Sequence, residues 1–181
     1  RQPYRFYANV NYNIETAGNL MLGLAEAFRF PTDSEGKYTL FGTRFAQFAK
    51  ADVSFTYNQI FNPSHRLVYH ADLGLAVPYA NSQAVPFEKR YFAGGANSVR
   101  GWSVRSLGPG AFMGSDGNID FINQTGDVKL DMSVEMRMRL FWKFDGALFV
   151  DAGNIWTLRD YKEQPGGQFR WYTCWAQIAV S

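Results

Sequence analysis

The stretch Asp127-Val128-Lys129-Leu130-Asp131-Met132-Ser133-Val134-Glu135-Met136-Arg137-Met138-Arg139-Leu140 alternates without a break. Val128, Leu130, Met132, Val134, Met136, Met138 and Leu140 form one row. Asp127, Lys129, Asp131, Ser133, Glu135, Arg137 and Arg139 form the other. A period of two residues marks a strand, whose side chains point alternately to opposite faces. Strands of soluble domains cluster near five or six residues, and this one is far longer. At ~3.3 Å per residue and ~40° of tilt, about thirteen residues rise roughly 33 Å, enough to cross an apolar band ~25 Å tall. The charged row then faces a wet interior, because in lipid Lys129, Arg137 and Arg139 would each cost ~2–4 kcal/mol at mid-depth. The apolar row faces lipid.

Other stretches repeat the pattern. Residues 146–156 set Leu148, Val150 and Ala152 against Phe149, Asp151 and Gly153, with Asn154 interrupting the apolar row, after a tight turn at 141–145. Residues 3–15 set Tyr4, Phe6, Ala8, Val10, Tyr12 and Ile14 against Arg5, Tyr7, Asn9, Asn11, Asn13 and Glu15. Strands are expected at 43–57 and 66–78, joined by a turn at 58–65 that contains Asn62-Pro63-Ser64. A last strand is expected from about Phe169, with Tyr172, Cys174, Ala176, Ile178 and Val180 on one side. Between the first two strands, Leu20, Leu24, Ala27 and Phe28 predict a short amphipathic helix over 17–29, with Thr16 as cap and Pro31 beyond its end. The polar residues 32–38 close that loop. Connections run long, short, long, short, long, as in outer-membrane barrels. Phe141, Trp142, Trp156 and Tyr79 sit near strand ends, where interfacial aromatics belong.

The chain of 181 residues is rich in aromatics (17%) and in glycine. No apolar run reaches the ~18–20 residues of a membrane helix. A net charge of +2 does not suggest a nucleic-acid face. One cysteine, Cys174, excludes a disulfide, and His65 and His70 alone cannot build a zinc site. About six strands are legible, whereas single-chain barrels need at least eight. The expectation is therefore a fragment, 1–181, of a longer barrel domain.

Residues 79–125 form a long irregular segment, which in a compact protein is usually functional. It carries Pro86-Phe87-Glu88-Lys89-Arg90-Tyr91-Phe92-Ala93-Gly94-Gly95-Ala96-Asn97-Ser98-Val99-Arg100-Gly101-Trp102. Val99-Arg100-Gly101-Trp102 resembles the V/I-R-G-F/Y loop signature of BamA/TamA-type outer-membrane assembly barrels, the surface-antigen family. Gly94-Gly95, Gly126-Asp127 and Phe149-Val150-Asp151-Ala152-Gly153 resemble that family too, and the phrasing is most similar to TamA-like proteins of Bacteroidota. Trp102 departs from the commoner Phe or Tyr.

The resemblance implies a sixteen-stranded barrel in the outer membrane of a Gram-negative bacterium, preceded by POTRA domains. Those domains and the closing strands would lie outside this chain. It implies insertion or translocation of unfolded outer-membrane proteins, in contact with outer-membrane lipids and periplasmic assembly factors, without cofactor or catalysis. A dedicated exporter of one passenger, or a plugged channel, is the alternative. It further implies a loop folded into the lumen, its Arg100 held by acids of the wall. By position these are Glu135 and Asp151, both on inward rows. The two long segments, 16–42 and 79–125, would share one side of the membrane, expected to be the cell surface.

Two other patterns are weaker. Asp116, Asn118, Asp120 and Asp127 resemble a calcium loop, but Phe121 stands where its glycine belongs and the closing glutamate is missing. If 43–57 and 66–78 pair, Ser54 falls near His70 with Asp72 two residues beyond, the elements of a hydrolase triad. No strained nucleophile elbow accompanies them.

Overall fold

The computed structural model describes residues 5–114, 118 and 120–181. Five long strands make an antiparallel meander: β1 (Phe6–Ala17), β4 (Phe48–Asn62), β5 (His65–Pro78), β6 (Val128–Phe141) and β7 (Phe144–Trp156). A two-residue strand, β8 (Ala179–Val180), adds to the free side of β7. The sheet order is β1-β4-β5-β6-β7-β8, with β1 and β8 at its edges. The long segment between β1 and β4 holds helix α1 (Asn19–Ala27) and a small hairpin of β2 (Thr39–Leu40) and β3 (Thr43–Arg44).

The register follows the alternation. Leu73 stands opposite Leu130 and Val134 opposite Val150, so apolar residues of neighbouring strands share one face. On that face Val10, Tyr12, Ile14, Val53, Leu73, Val134, Leu148 and Val150 are all exposed. Described residues of the 79–127 segment cover part of the opposite face, while Tyr7, Asn9, Asn11 and Arg139 on it stay exposed. The packed core lies there, where Val85, Tyr91, Ala93, Val99 and Leu107 of the segment meet Phe48, Ala76 and Ile155 of the strands. This is one wall of a membrane barrel: an apolar outer row and an inner face that holds a folded loop.

Several expectations need correction. The strand expected at 43–57 runs from Phe48 to Asn62, because its ladder with β1 continues to Phe6↔Gln59 and residues 43–44 belong to the small hairpin. The turn expected at 58–65 shrinks to Pro63-Ser64, and Asn58 is a buried strand residue. Thr16 does not cap α1; it pairs with Ala49 in the ladder. Gly18, at φ 84, takes the cap position, and its carbonyl accepts the Leu22 N–H. Residues 169–177 are not a strand. Arg170 O accepts the N–H groups of Thr173 and Cys174, and a 3₁₀ turn follows at Cys174–Gln177. Backbone groups satisfied locally are not available to a ladder. Phe141 and Trp142 are exposed at the short turn as girdle residues would be, but Trp156 is buried with its indole N–H on Gln177 Oε1. Tyr4 lies outside the described residues.

Candidate functional site

The site begins with two strands. In β6 and β7, Ser133 pairs with Asp151 and Glu135 with Phe149, so Glu135, Phe149 and Asp151 form a patch on the inward face. Arg100 lies on it. Its Nε donates to Asp151 Oδ2 and its NH2 to Asp151 Oδ1, both at 2.7 Å, and its NH1 donates to Glu135 Oε2 at 2.7 Å. The main-chain N–H of Arg100 also reaches Asp151 Oδ2, at 3.1 Å. The guanidinium carbon Cζ stands over the Phe149 ring, 3.6 Å from its centre. A fork donor suits this, because a planar guanidinium serves one carboxylate bidentately and still has a free edge for a second. Asp151 has no exposed surface. The bonds to Asp151 hold the Arg100 charge above its ordinary range, against the opposing effect of burial. Glu135 is shared, since Arg137 Nε also donates to it.

The residues around Arg100 shape the turn that presents it. Gly94 and Gly95 both have φ 94, a region disfavoured by any side chain, and a β-carbon on Gly94 would fall 2.2 Å from Ser103 O. Gly95 N–H donates to Trp102 O, and Trp102 N–H to Val99 O. Val99 is fully buried in the core, and Trp102 packs against it. Gly101 needs space rather than an unusual torsion, since a β-carbon there would meet the Ser181 side chain at 2.4 Å.

A second anchor, unforeseen in the sequence, holds the start of the segment. Tyr91 Oη donates to Asp52 Oδ1 at 2.5 Å, and its ring lies on Gly74, where a β-carbon would approach Cζ to 2.5 Å. Lys50 sits 4.2 Å from the ring centre. Burial, then the Asp52 carboxylate, push the phenol far above its usual range, so it remains a donor. Lys89 reaches Glu15 on β1 at 2.5 Å. A glycine in a strand often marks close approach of another group. That was the available signal, but no local pattern names the partner. At the far end Tyr91 and Gly126 exchange both main-chain bonds, and Asp127 Oδ2 accepts the Leu158 N–H. Asn154 belongs here as well. The break it makes in the apolar row is where its Nδ2 donates to Gly110 O and Gln177 O.

The remaining expected residues separate into two groups. His70 and Asp72 do meet, at 3.2 Å, but the hydroxyl on His70 Nδ1 is Thr56, at 2.9 Å. Ser54 stands across from Asp72 in the ladder. Of the calcium pattern, Asp116 lies outside the described residues. Asp120 turns its carboxylate to the N–H groups of Ile122 and Asn123, and Asp127 is engaged with Leu158. Among the described residues, no group of three acidic, His or Cys side chains is placed to hold a metal.

Over 119 residues the chain is 28% identical to the outer membrane protein assembly factor BamA of Neisseria meningitidis serogroup B, an alignment covering 61% of this chain. The chain spans only 15% of that relative's length. The crystal structure of BamA from Haemophilus ducreyi lacking POTRA domains 1–3 aligns over 84% of this chain and 39% of its own, with a TM-score of 0.46 and 16% identity. A model of the Omp85 superfamily domain matches residues 9–178, nearly the whole wall and its loop, and on that match this chain, a section of an outer-membrane β-barrel, belongs to the Omp85 superfamily.

Proposed function

We propose that this wall and its loop are part of a barrel that inserts or translocates other outer-membrane proteins. The observation that carries the reading is the loop's attachment. The 79–127 segment is long enough to wander, yet Arg100 fixes its middle to β6 and β7. Tyr91 and Lys89 fix its start to β4 and β1. A loop fixed in this way would brace the wall of a barrel that opens along a seam while the rest keeps its shape. The Arg100 set is then a structural pin, with Val99 buried beside it and Gly94, Gly95 and Gly101 allowing the turn. The intact protein would be a longer barrel with periplasmic domains ahead of it. Its substrates would be unfolded outer-membrane proteins, its surroundings outer-membrane lipid, and its partners periplasmic assembly factors. The Omp85 match and the relative named as an assembly factor support this.

The test is depletion of the intact protein, followed by quantitation of the outer-membrane proteome. Loss of many barrel proteins is expected. Loss of a single surface protein would instead mean a dedicated exporter, and an unchanged proteome would overturn both. Complementation with Arg100→Ala should fail to restore the outer-membrane proteome in full, because the barrel that lacks its pin is less stable.

A further inference from the structure

Helix α1 carries its apolar residues on the outside. Leu20 is 78% exposed, Leu24 36% and Phe28, at the C-cap, 72%. At about 100° per residue, positions 20, 24, 27 and 28 fall in one sector of the helix. Ala25 is fully buried, and it shares a second sector with Met21 and Leu22, both half-buried. Asn19, Gly23 and Glu26 make up the third sector. A helix resting on a soluble protein needs two sectors, one against the core and one in water. This one has a third, apolar and uncovered among the described residues.

The position of α1 on the wall says what covers it. Asn19 Oδ1 accepts from Tyr79 Oη at 2.5 Å and from Gln47 Nε2 at 3.1 Å. Gln47 and Tyr79 extend the β4–β5 ladder by one step, with Tyr79 N–H on Gln47 O. By alternation both belong to the outward row, with Val53 and Phe55 on β4 and Leu75 and Val77 on β5. The inward row, Lys50 and Asp52, points instead to Tyr91. So α1 is seated on the outer side of the rim, above the lipid-facing rows. Ile14, four residues before Gly18 on β1, is itself outward and exposed.

We propose that α1 is an interfacial helix of the barrel, with Leu20, Leu24, Ala27 and Phe28 dipping into the lipid at the headgroup–acyl boundary. Asn19, Gly23 and Glu26 face water and Ala25 faces the wall. The occupant of the apolar sector is bilayer lipid, because the sector continues the lipid-facing surface of the strands. An amphipathic helix lying in the interface plane buries its apolar face in this way. The helix would fix the height of the rim in the membrane on the β1–β4 side. This inference rests on the membrane-barrel reading, and the test separates the two.

The full-length protein, freed of other cysteines (Cys174→Ala included), is reconstituted into phosphatidylethanolamine–phosphatidylglycerol vesicles. Single nitroxide labels are attached after Leu20→Cys, Leu24→Cys, Phe28→Cys, Gly23→Cys and Glu26→Cys. Val10→Cys and Asn11→Cys serve as strand controls. Collision with oxygen reports lipid, and collision with a water-soluble nickel chelate reports water. Positions 20, 24 and 28 are expected to show a several-fold higher oxygen-to-nickel ratio than 23 and 26, matching Val10. If Val10 reports lipid but 20, 24 and 28 report water, α1 stands clear of the membrane and the proposal fails while the barrel stands. If they are shielded from both reagents, protein covers them and the proposal fails as well. If Val10 itself reports water, the barrel reading falls and takes this inference with it.

Discussion

Arg100 meets Asp151 twice through one oxygen: Oδ2 accepts both the guanidinium Nε at 2.7 Å and the Arg100 main-chain N–H at 3.1 Å. Backbone and side chain of the same residue are thus fixed by one buried carboxylate. The position of the chain is set along with the charge.

Removing Arg100 leaves Asp151 buried and without its cation, which costs about 3–5 kcal/mol. Arg100→Ala should lower the unfolding free energy of the intact protein by that order, and Asp151→Asn by less, because Arg100 keeps Glu135. The double variant should show little further loss. Glu135→Gln should cost less, because Glu135 is partly exposed and Arg100 keeps its two bonds to the Asp151 carboxylate. Arg100→Lys should cost less than Arg100→Ala but not restore the set, since an ammonium can pair with Asp151 but cannot span both acids. Denaturant unfolding in lipid vesicles, analysed as a double-mutant cycle, measures the coupling. Strict additivity would mean the contacts do not act together.

Gly74→Ala would place a methyl where the Tyr91 ring lies, with Cζ at 2.5 Å. The ring must lift, and the bond to Asp52 goes with it. Tyr91→Phe removes the same bond and keeps the packing, so it should cost about 1.5–3 kcal/mol, the usual worth of a bond to a charged group. Gly74→Ala should cost at least as much. Limited proteolysis within 79–127 is the measurement, with faster cleavage expected in both variants and fastest in Gly74→Ala.

Two glycines should respond in opposite directions to alanine. Gly94 combines φ 94 with a carbonyl at 2.2 Å, so Gly94→Ala should destabilise the loop turn. Gly23 lies mid-helix with nothing within 4 Å of its would-be β-carbon. Gly23→Ala should therefore stabilise α1 by roughly 0.5–1 kcal/mol, through the helix propensity gained. Melting temperatures of the two variants, compared in the same vesicles, should move apart.

The small hairpin carries a pH response. Asp33 is held below the usual carboxylate range, first by the Lys37 N–H, and further by the Glu35 N–H and by Arg44. A depressed folded value means that the stabilisation is present above the unfolded value and fades as pH falls through the folded one. Order at 31–44 should persist at neutral pH and loosen below about pH 4, the ordinary range of an aspartate. Asp33→Asn should show the loosened state already at pH 7. A carboxyl-carbon NMR titration of Asp33 tests it, and a midpoint at or above the ordinary value would contradict it.

Much of this protein was written locally. Alternation over 3–15, 66–78 and 127–140 marks strands because side-chain direction in an extended chain depends only on position. The same alternation sorts Val134 to the outer row and Glu135 to the inner, whatever the neighbours are. That Gly94-Gly95 and the Val99-Arg100-Gly101-Trp102 step belong to a loop folded against the wall came from their resemblance to a family signature, not from a local pattern.

What local pattern could not decide was pairing. The bounds of β4 depend on how far β1 extends beside it, and the five-residue shift came from that ladder. Apolar alternation after Phe169 looked like a strand, but Arg170 O had already taken the local N–H groups. Tyr91 on Gly74, Arg100 on Phe149 and Asn154 between Gly110 and Gln177 join residues far apart in the chain. Even α1, whose apolar stripe the sequence displayed, gave no sign that the stripe faces away from the protein. Periodicity gives a helix a face, and only the position of Gln47 and Tyr79 on the outer wall gives that face a direction.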